Sequence, residues 1–210
     1  MVDVFLMRHS HVDYGPGVSI TEHNPLTPLG HRLAVLLAER AMVWDLQHLF
    51  VSTMTRARQT AEAILQRIPD LPHTEMDGLR ETNAVDLVGW SGAPYDDDMR
   101  VWSQEHFDYA NRRMFDRVRQ AWEAIQATVA EQGLERVGVV AHGGSINMIL
   151  RVFQGMENSD SWPCFFEIDW TAISVVRYSP EWRRRYILKV NDATHAEPLR
   201  GLLDDSPRLE

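Results

Sequence analysis

The chain has 210 residues, 44% apolar and 24% charged, a composition that supports a globular domain with a substantial core and excludes a disordered or fibrous chain. The net charge of -9 gives no support to nucleic-acid binding or to an anionic membrane surface, so an anionic small ligand would need a local basic pocket set against the overall field. A single cysteine, Cys164, excludes an internal disulfide and any multi-cysteine metal site, and no stretch approaches the roughly 18 to 20 apolar residues of a membrane-spanning helix.

From the first residues onward, the apolar run at 2–7 predicts a short buried strand that delivers Arg8 and His9 at its end. The run is too short for a secretory leader, and a cytoplasmic protein is expected. A long loop to residue 25 precedes a helix in which Thr27 is the N-cap, Pro28 the first helical residue, and Leu29, Leu33, Leu36 and Leu37 an apolar stripe. "HLFVS" predicts a second strand and "TRARQTAEAILQRI" a second helix. The region 81–108, with Gly, Pro and "DDD", reads as irregular. Met114, Val118, Trp122, Ile125 and Val129 then mark a long amphipathic helix over 107–132.

"RVGVVAH" predicts a central strand covered on both faces, and "GSINMILRVF" the helix after it. "TAISVVRYS" and "RRRYILKVN" predict two strands around a "PEW" turn. Cys164 is expected as a buried small hydrophobe. The alternation of strands and helices argues for an α/β fold of layers over one sheet, with its crevice at the carboxyl ends of the strands. One domain over 1–195, an insertion at about 83–112 and a loosely held tail at 196–210 complete the expected organisation.

Three strand ends carry candidate chemistry: Arg8 and His9, then Arg56 and Arg58 opening a helix, then His142 with Gly143 opening another. Singly, each has a plain structural reading as a solvated strand end, a solvated helix face or a hydrogen-bonded histidine. Together they would bring two histidines, arginines and two helix N-termini to one sheet edge, a setting for an anion.

"LMRHS" resembles the "RHG" signature of the histidine phosphatase superfamily, which includes the phosphoglycerate mutases. The resemblance runs on through "NPLTPLGHRLA", "VSTMTRARQTAEAI", "LRE" at 79–81, "VVAHGGSI" and the closing "NDATH", in the family's order over roughly residues 2 to 195. It implies a phosphoglycerate mutase-like three-layer α/β/α sandwich with a mostly parallel sheet. It also implies that His9 is the nucleophile, forming a phosphohistidine, with its pKa lowered by flanking arginines. Arg8 and Arg56 would clamp phosphate oxygens, with Gly143 at the helix start beside them, and His142 would donate to a phosphoryl oxygen. Glu81 matches the general acid. The resemblance implies neither metal nor cofactor, and Arg58 faces solvent.

The chain departs from the family at several points. Ser10 stands where glycine is usual, and would either crowd the phosphate or donate to it. Thr53, Leu33 and Asn24 replace the usual proline, glutamine and aspartate. The stretch after Glu81 is longer than the family's, which makes Asp86 a reserve candidate for the acid. Tyr14 and Gly15 stand where the mutases carry Trp-Asn, so hydrolysis of a small phosphorylated metabolite leads. A phosphoglycerate mutase and a non-catalytic protein that binds inorganic phosphate are the alternatives. His11 and Asp13 lie near the site or on loop surface. Trp90, Tyr95, Trp102 and Phe107 would either wall a leaving group or pack the insertion, whose apolar edges leave room for a homodimer.

Overall fold

The computed structural model describes residues 1–15, 18, 21–92, 99–159, 164–179, 181 and 184–203, apart from the side chains of Val85 and Arg100. Tyr95, the acidic run at 96–98, Pro180 and Trp182 of the expected turn, and the tail from 204 to 210 lie outside the described residues.

The described strands are β1 (Val2–Arg8), β2 (His48–Ser52), β3 (His73–Met76), β4 (Arg136–Ala141), β5 (Ile173–Ser179) and β6 (Arg184–Asp192). They form one sheet in the order β3-β2-β4-β1-β5-β6, with β3, β2, β4 and β1 parallel and β5 and β6 antiparallel at one side. The helices are α1 (Pro28–Ala41), α2 (Thr55–Arg67), α3 (Gln104–Gln132) and α4 (Gly143–Gln154). No described helix is long and apolar enough to cross a membrane.

Period-two alternation along the central strands divides the core between the two faces. Val4 and Leu6 of β1 and Val139 of β4 pack with Val118, Trp122 and Ile125 of α3 and Ile146 and Leu150 of α4. Met7 and Val140, from the same two strands, pack with Leu37 and Ala41 of α1 and Ala57 and Ile64 of α2. This makes three layers, α/β/α. Packing is tight at Gly138 of β4, where a Cβ would lie 2.7 Å from Leu49 Cδ1 and 2.9 Å from Met7 Cε, so a side chain there would push both aside.

α1 starts as its capping chemistry dictates: Thr27 Oγ1 accepts from the Gly30 N–H at 3.0 Å, and Pro28 follows. α3 starts at Gln104, three residues before the expected start at 107, where Ser103 caps it by accepting from the His106 N–H at 3.3 Å.

Two further expectations are corrected. Ala196 and Leu199 bury against Leu33 of α1 within the 3-10 segment Thr194–Leu202, so the chain is anchored beyond residue 195 and the loose tail does not begin there. Cys164 is exposed. Of the two readings for the aromatics of the insertion, packing is the one observed: Trp90, Trp102 and Phe107 pack with Leu87 and with Ala110 of α3, Trp102 and Phe107 ring to ring at 5.3 Å.

Candidate active site

Adjacency of strand ends builds the site. Arg8 at the end of β1 pairs in register with Ala141 at the end of β4, and the His9 N–H donates to the Ala141 carbonyl at 2.8 Å. The two residues that follow, His9 and His142, therefore sit side by side with ring centroids 4.9 Å apart. β2 lies on the other side of β4, and α2, starting at Thr55, brings Arg56 back to His9.

Each ring is held by its far nitrogen. His9 Nδ1 lies 2.7 Å from the Ser10 carbonyl. A carbonyl only accepts, so Nδ1 carries the proton and Nε2 keeps its lone pair, to which Arg56 Nε donates at 3.2 Å. His142 Nε2 lies 2.8 Å from Ser52 Oγ, while its Nδ1 is buried with no hydrogen-bond partner among the described residues. The Met54 N–H donates to Ser52 Oγ at 3.4 Å, and where the hydroxyl gives its own proton to Nε2 the ring proton sits on Nδ1. Burial, then Arg56, drives the pKa of both histidines well below its ordinary value; Arg8 lowers both further, and His9 adds to the effect on His142. Both rings are neutral at physiological pH.

Arg56 is only 2% exposed and makes no ion pair among the described residues. Its Nη1 donates to the Thr21 carbonyl at 2.9 Å and its Nη2 contacts Met54 Sδ at 3.2 Å. A buried guanidinium without a carboxylate is costly unless an anion arrives. Arg8 donates to the Ile168 carbonyl, and its guanidinium lies 3.9 Å above the Trp170 ring. Gly143 opens α4 against this group: a Cβ there would sit 3.9 Å from Arg8 Cζ.

Glu81 is drawn to the same edge. Its Oε2 accepts from the Gly144 N–H at 2.9 Å and its Oε1 from the Thr82 N–H at 3.1 Å. A Cβ on Gly144 would lie 2.2 Å from Glu81 Oε1, so this glycine makes room for the carboxylate. Among the described residues no group of three or more His, Cys, Asp or Glu could hold a metal ion.

Two expected roles fail on this geometry. Ser10 Oγ donates to the Gly30 carbonyl at 2.6 Å and the Ser10 N–H to Thr60 Oγ1 at 2.9 Å, so neither donor is left for a phosphate. Asp86 is no reserve acid: it is buried, its Oδ1 accepting from Arg117 Nε at 3.2 Å and its Oδ2 from Arg117 Nη2 at 2.8 Å. That arginine also donates to the Gly78 and Arg80 carbonyls and so fixes the backbone leading into Glu81. Arg58 is half exposed and pairs with Glu75.

His11 Nδ1 binds Thr27 Oγ1 at 2.7 Å, with its ring edge on Trp170 at 5.4 Å, and Asp13 caps a turn by accepting from the Gly15 N–H. Trp170, Ser52, Gly144 and Arg117 were not singled out from sequence. Ser52 and Gly144 lie inside the recognised blocks, whereas nothing near Trp170 or Arg117 in the chain marks them. Trp170 touches the rings of His9 at 5.3 Å and Tyr14 at 5.6 Å. The next residue, Thr171, holds φ at 58°, a left-handed conformation that is strained for a β-branched residue. His195, from the closing block, secures it with Nε2 3.0 Å from Thr171 Oγ1.

Residues 4–193 match the family model of the histidine phosphatase superfamily (branch 1). The chain is 28% identical over 149 residues to a probable phosphatase of Schizosaccharomyces pombe, covering 70% of each. It is 32% identical over 123 residues to a 2,3-bisphosphoglycerate-dependent phosphoglycerate mutase of a Methylobacterium species, covering 51% of this chain and 57% of the mutase. Among solved structures, the fold matches a mycobacterial glucosyl-3-phosphoglycerate phosphatase complexed with VO3 at a TM-score of 0.71 and 20% identity, over 91% of this chain and 99% of that one.

Proposed function

Since the chain belongs to the histidine phosphatase superfamily, we propose that it is a metal-independent phosphomonoesterase that hydrolyses a small phosphorylated metabolite through a phosphohistidine at His9. The observation that carries this reading is Arg56, a buried cation with no carboxylate partner among the described residues, bonded to His9 and lowering the pKa of both neutral histidines. Such a setting favours binding of an anion.

In the first step the His9 Nε2 lone pair attacks phosphorus and the bond to the leaving oxygen breaks. Glu81 gives that oxygen its proton. Arg8, Arg56 and the His142 Nδ1–H hold the equatorial oxygens as charge develops on them. In the second step water attacks the phosphohistidine, Glu81 takes the water proton, and the N–P bond breaks to leave His9 neutral. Ser52 and Arg117 act by position, one fixing the His142 ring and the other the approach to Glu81.

The test is release of phosphate from 4-nitrophenyl phosphate in excess chelator. His9→Ala is expected to abolish it in a folded protein. Loss of activity on chelation, or an active His9→Ala, overturns the reading.

A mutase is the second reading, favoured by the Methylobacterium relative. It requires interconversion of 2- and 3-phosphoglycerate faster than release of phosphate. A cytoplasmic location and a homodimer belong to the proposal as well. Tyr186, Ile187 and Leu188, exposed on the edge strand β6, support the dimer in place of the buried aromatics of the insertion, and sedimentation tests it.

A further inference from the structure

We propose that the strap from Cys164 to Trp170 forms the wall of a leaving-group subsite for the uncharged, apolar part of a phosphomonoester; this rests on the phosphatase reading above. The strap is pinned to α4 at two residues, Cys164 and Phe166. Arg151 Nη2 donates to the Cys164 carbonyl at 2.6 Å. One turn nearer the cradle, Asn147 grips Phe166 by both backbone groups: Nδ2 donates to its carbonyl at 2.9 Å, and Oδ1 accepts from its N–H at 2.7 Å. Next, Arg8 donates to the Ile168 carbonyl, and Trp170 stacks on the same guanidinium.

The two grips, Arg151 on Cys164 and Asn147 on Phe166, stand about one helical turn apart on α4. Asn147 Nδ2 also donates to the Gly143 carbonyl at 2.9 Å, so one amide nitrogen ties Phe166 to the first residue of α4 in the cradle.

This rigid strap presents two aromatic side chains to solvent. Phe165 is 46% exposed and Phe166 44% exposed, and the Arg151 guanidinium backs the Phe165 ring at 4.4 Å. A pinned pair of exposed aromatics beside a phosphate cradle is an unfilled apolar contact.

Charge selects the occupant. The arginines on either side of Glu81 are spent, Arg80 on Glu22 and Arg117 on Asp86, and Arg151 holds the strap itself. A substrate carboxylate would have to break one of these contacts, whereas an alkyl or aryl group would not.

The n-alkyl phosphates from propyl to heptyl test this, because they vary apolar length at nearly constant leaving-group acidity and charge. In the wild type, kcat/KM is expected to rise about two- to fourfold per added methylene. In the double variant Phe165→Ser, Phe166→Ser the rise is expected to vanish while inhibition by inorganic phosphate is retained. A flat series in the wild type overturns the proposal whether or not that variant folds, as does an unchanged slope in a folded variant. Absence of phosphate release from every ester, 4-nitrophenyl phosphate included, overturns the phosphatase reading and the subsite with it.

Discussion

Replacing Arg56 with methionine keeps most of its bulk and removes its charge and its hydrogen bonds to His9 Nε2 and the Thr21 carbonyl. The expected result is a fall in kcat/KM of about 10²–10³-fold or more, the scale of losing a preorganised donor to a transition-state oxyanion. The His9 pKa should also move up, because Arg56 is second only to burial in depressing it. Ring ¹⁵N chemical shifts followed against pH read this directly, and an unmoved His9 would deny the coupling. Ser10→Gly separates a fold role from a phosphate role at one atom. Its hydroxyl bonds the buried Gly30 carbonyl, so loss of about 1–2 kcal/mol of stability is expected, with inhibition by inorganic phosphate unaltered. Weaker phosphate inhibition would return Ser10 to the cradle.

At the scale of elements, α4 and α3 cooperate on Glu81. Gly144→Ala places a Cβ where the carboxylate now lies, so Glu81 must leave the α4 N-terminus. The expected signature is a large loss of kcat with phosphate inhibition nearly intact, and a variant with wild-type kcat would remove Glu81 from the acid role. Arg117→Met leaves buried Asp86 without its counter-charge, and a loss of about 3–5 kcal/mol in urea unfolding is expected. The same elements show what a linear reading can reach. β2, "HLFVS", was legible because all five of its residues are buried and most are apolar. β3, "HTEM", was not, because an edge strand with largely exposed side chains carries no apolar pattern. Thr27 and Pro28 announced α1 through local capping, and His9, Arg56, Glu81 and His142 each stood inside a recognisable block. Trp170 and Arg117 act through contacts remote in sequence, Trp170 on Arg8 and Arg117 on the backbone at 77–81, so no local pattern could point to them. Cys164 was misjudged because residue type alone favours burial, whereas the strap bonds α4 through its backbone and leaves the thiol outside.

Across the whole molecule, neutral buried histidines make the fold acid-sensitive. His9 and His142 have pKa values well below the usual 6.5, and burial takes His195 down to about 4. As the pH falls below about 6.5 the unfolded chain takes up protons that the folded chain refuses, so stability is lost progressively toward the folded pKa values. Urea midpoints should hold steady above neutrality and decline steadily from about pH 6.5 to about pH 4; a flat profile across that window would mean that these rings protonate freely in the fold. On the proposed mechanism, the same depression keeps His9 ready as a nucleophile inside a chain whose net charge of -9 otherwise disfavours an anion. The central claim is that this locally positive, histidine-lined edge becomes phosphorylated during turnover. Rapid quenching of the enzyme with a ³²P-labelled phosphomonoester in alkali, followed by peptide mapping, tests it most directly. A base-stable, acid-labile phosphoryl group on His9 that disappears in His9→Ala is the predicted result, and phosphate release without any label on His9 is the result that would contradict it.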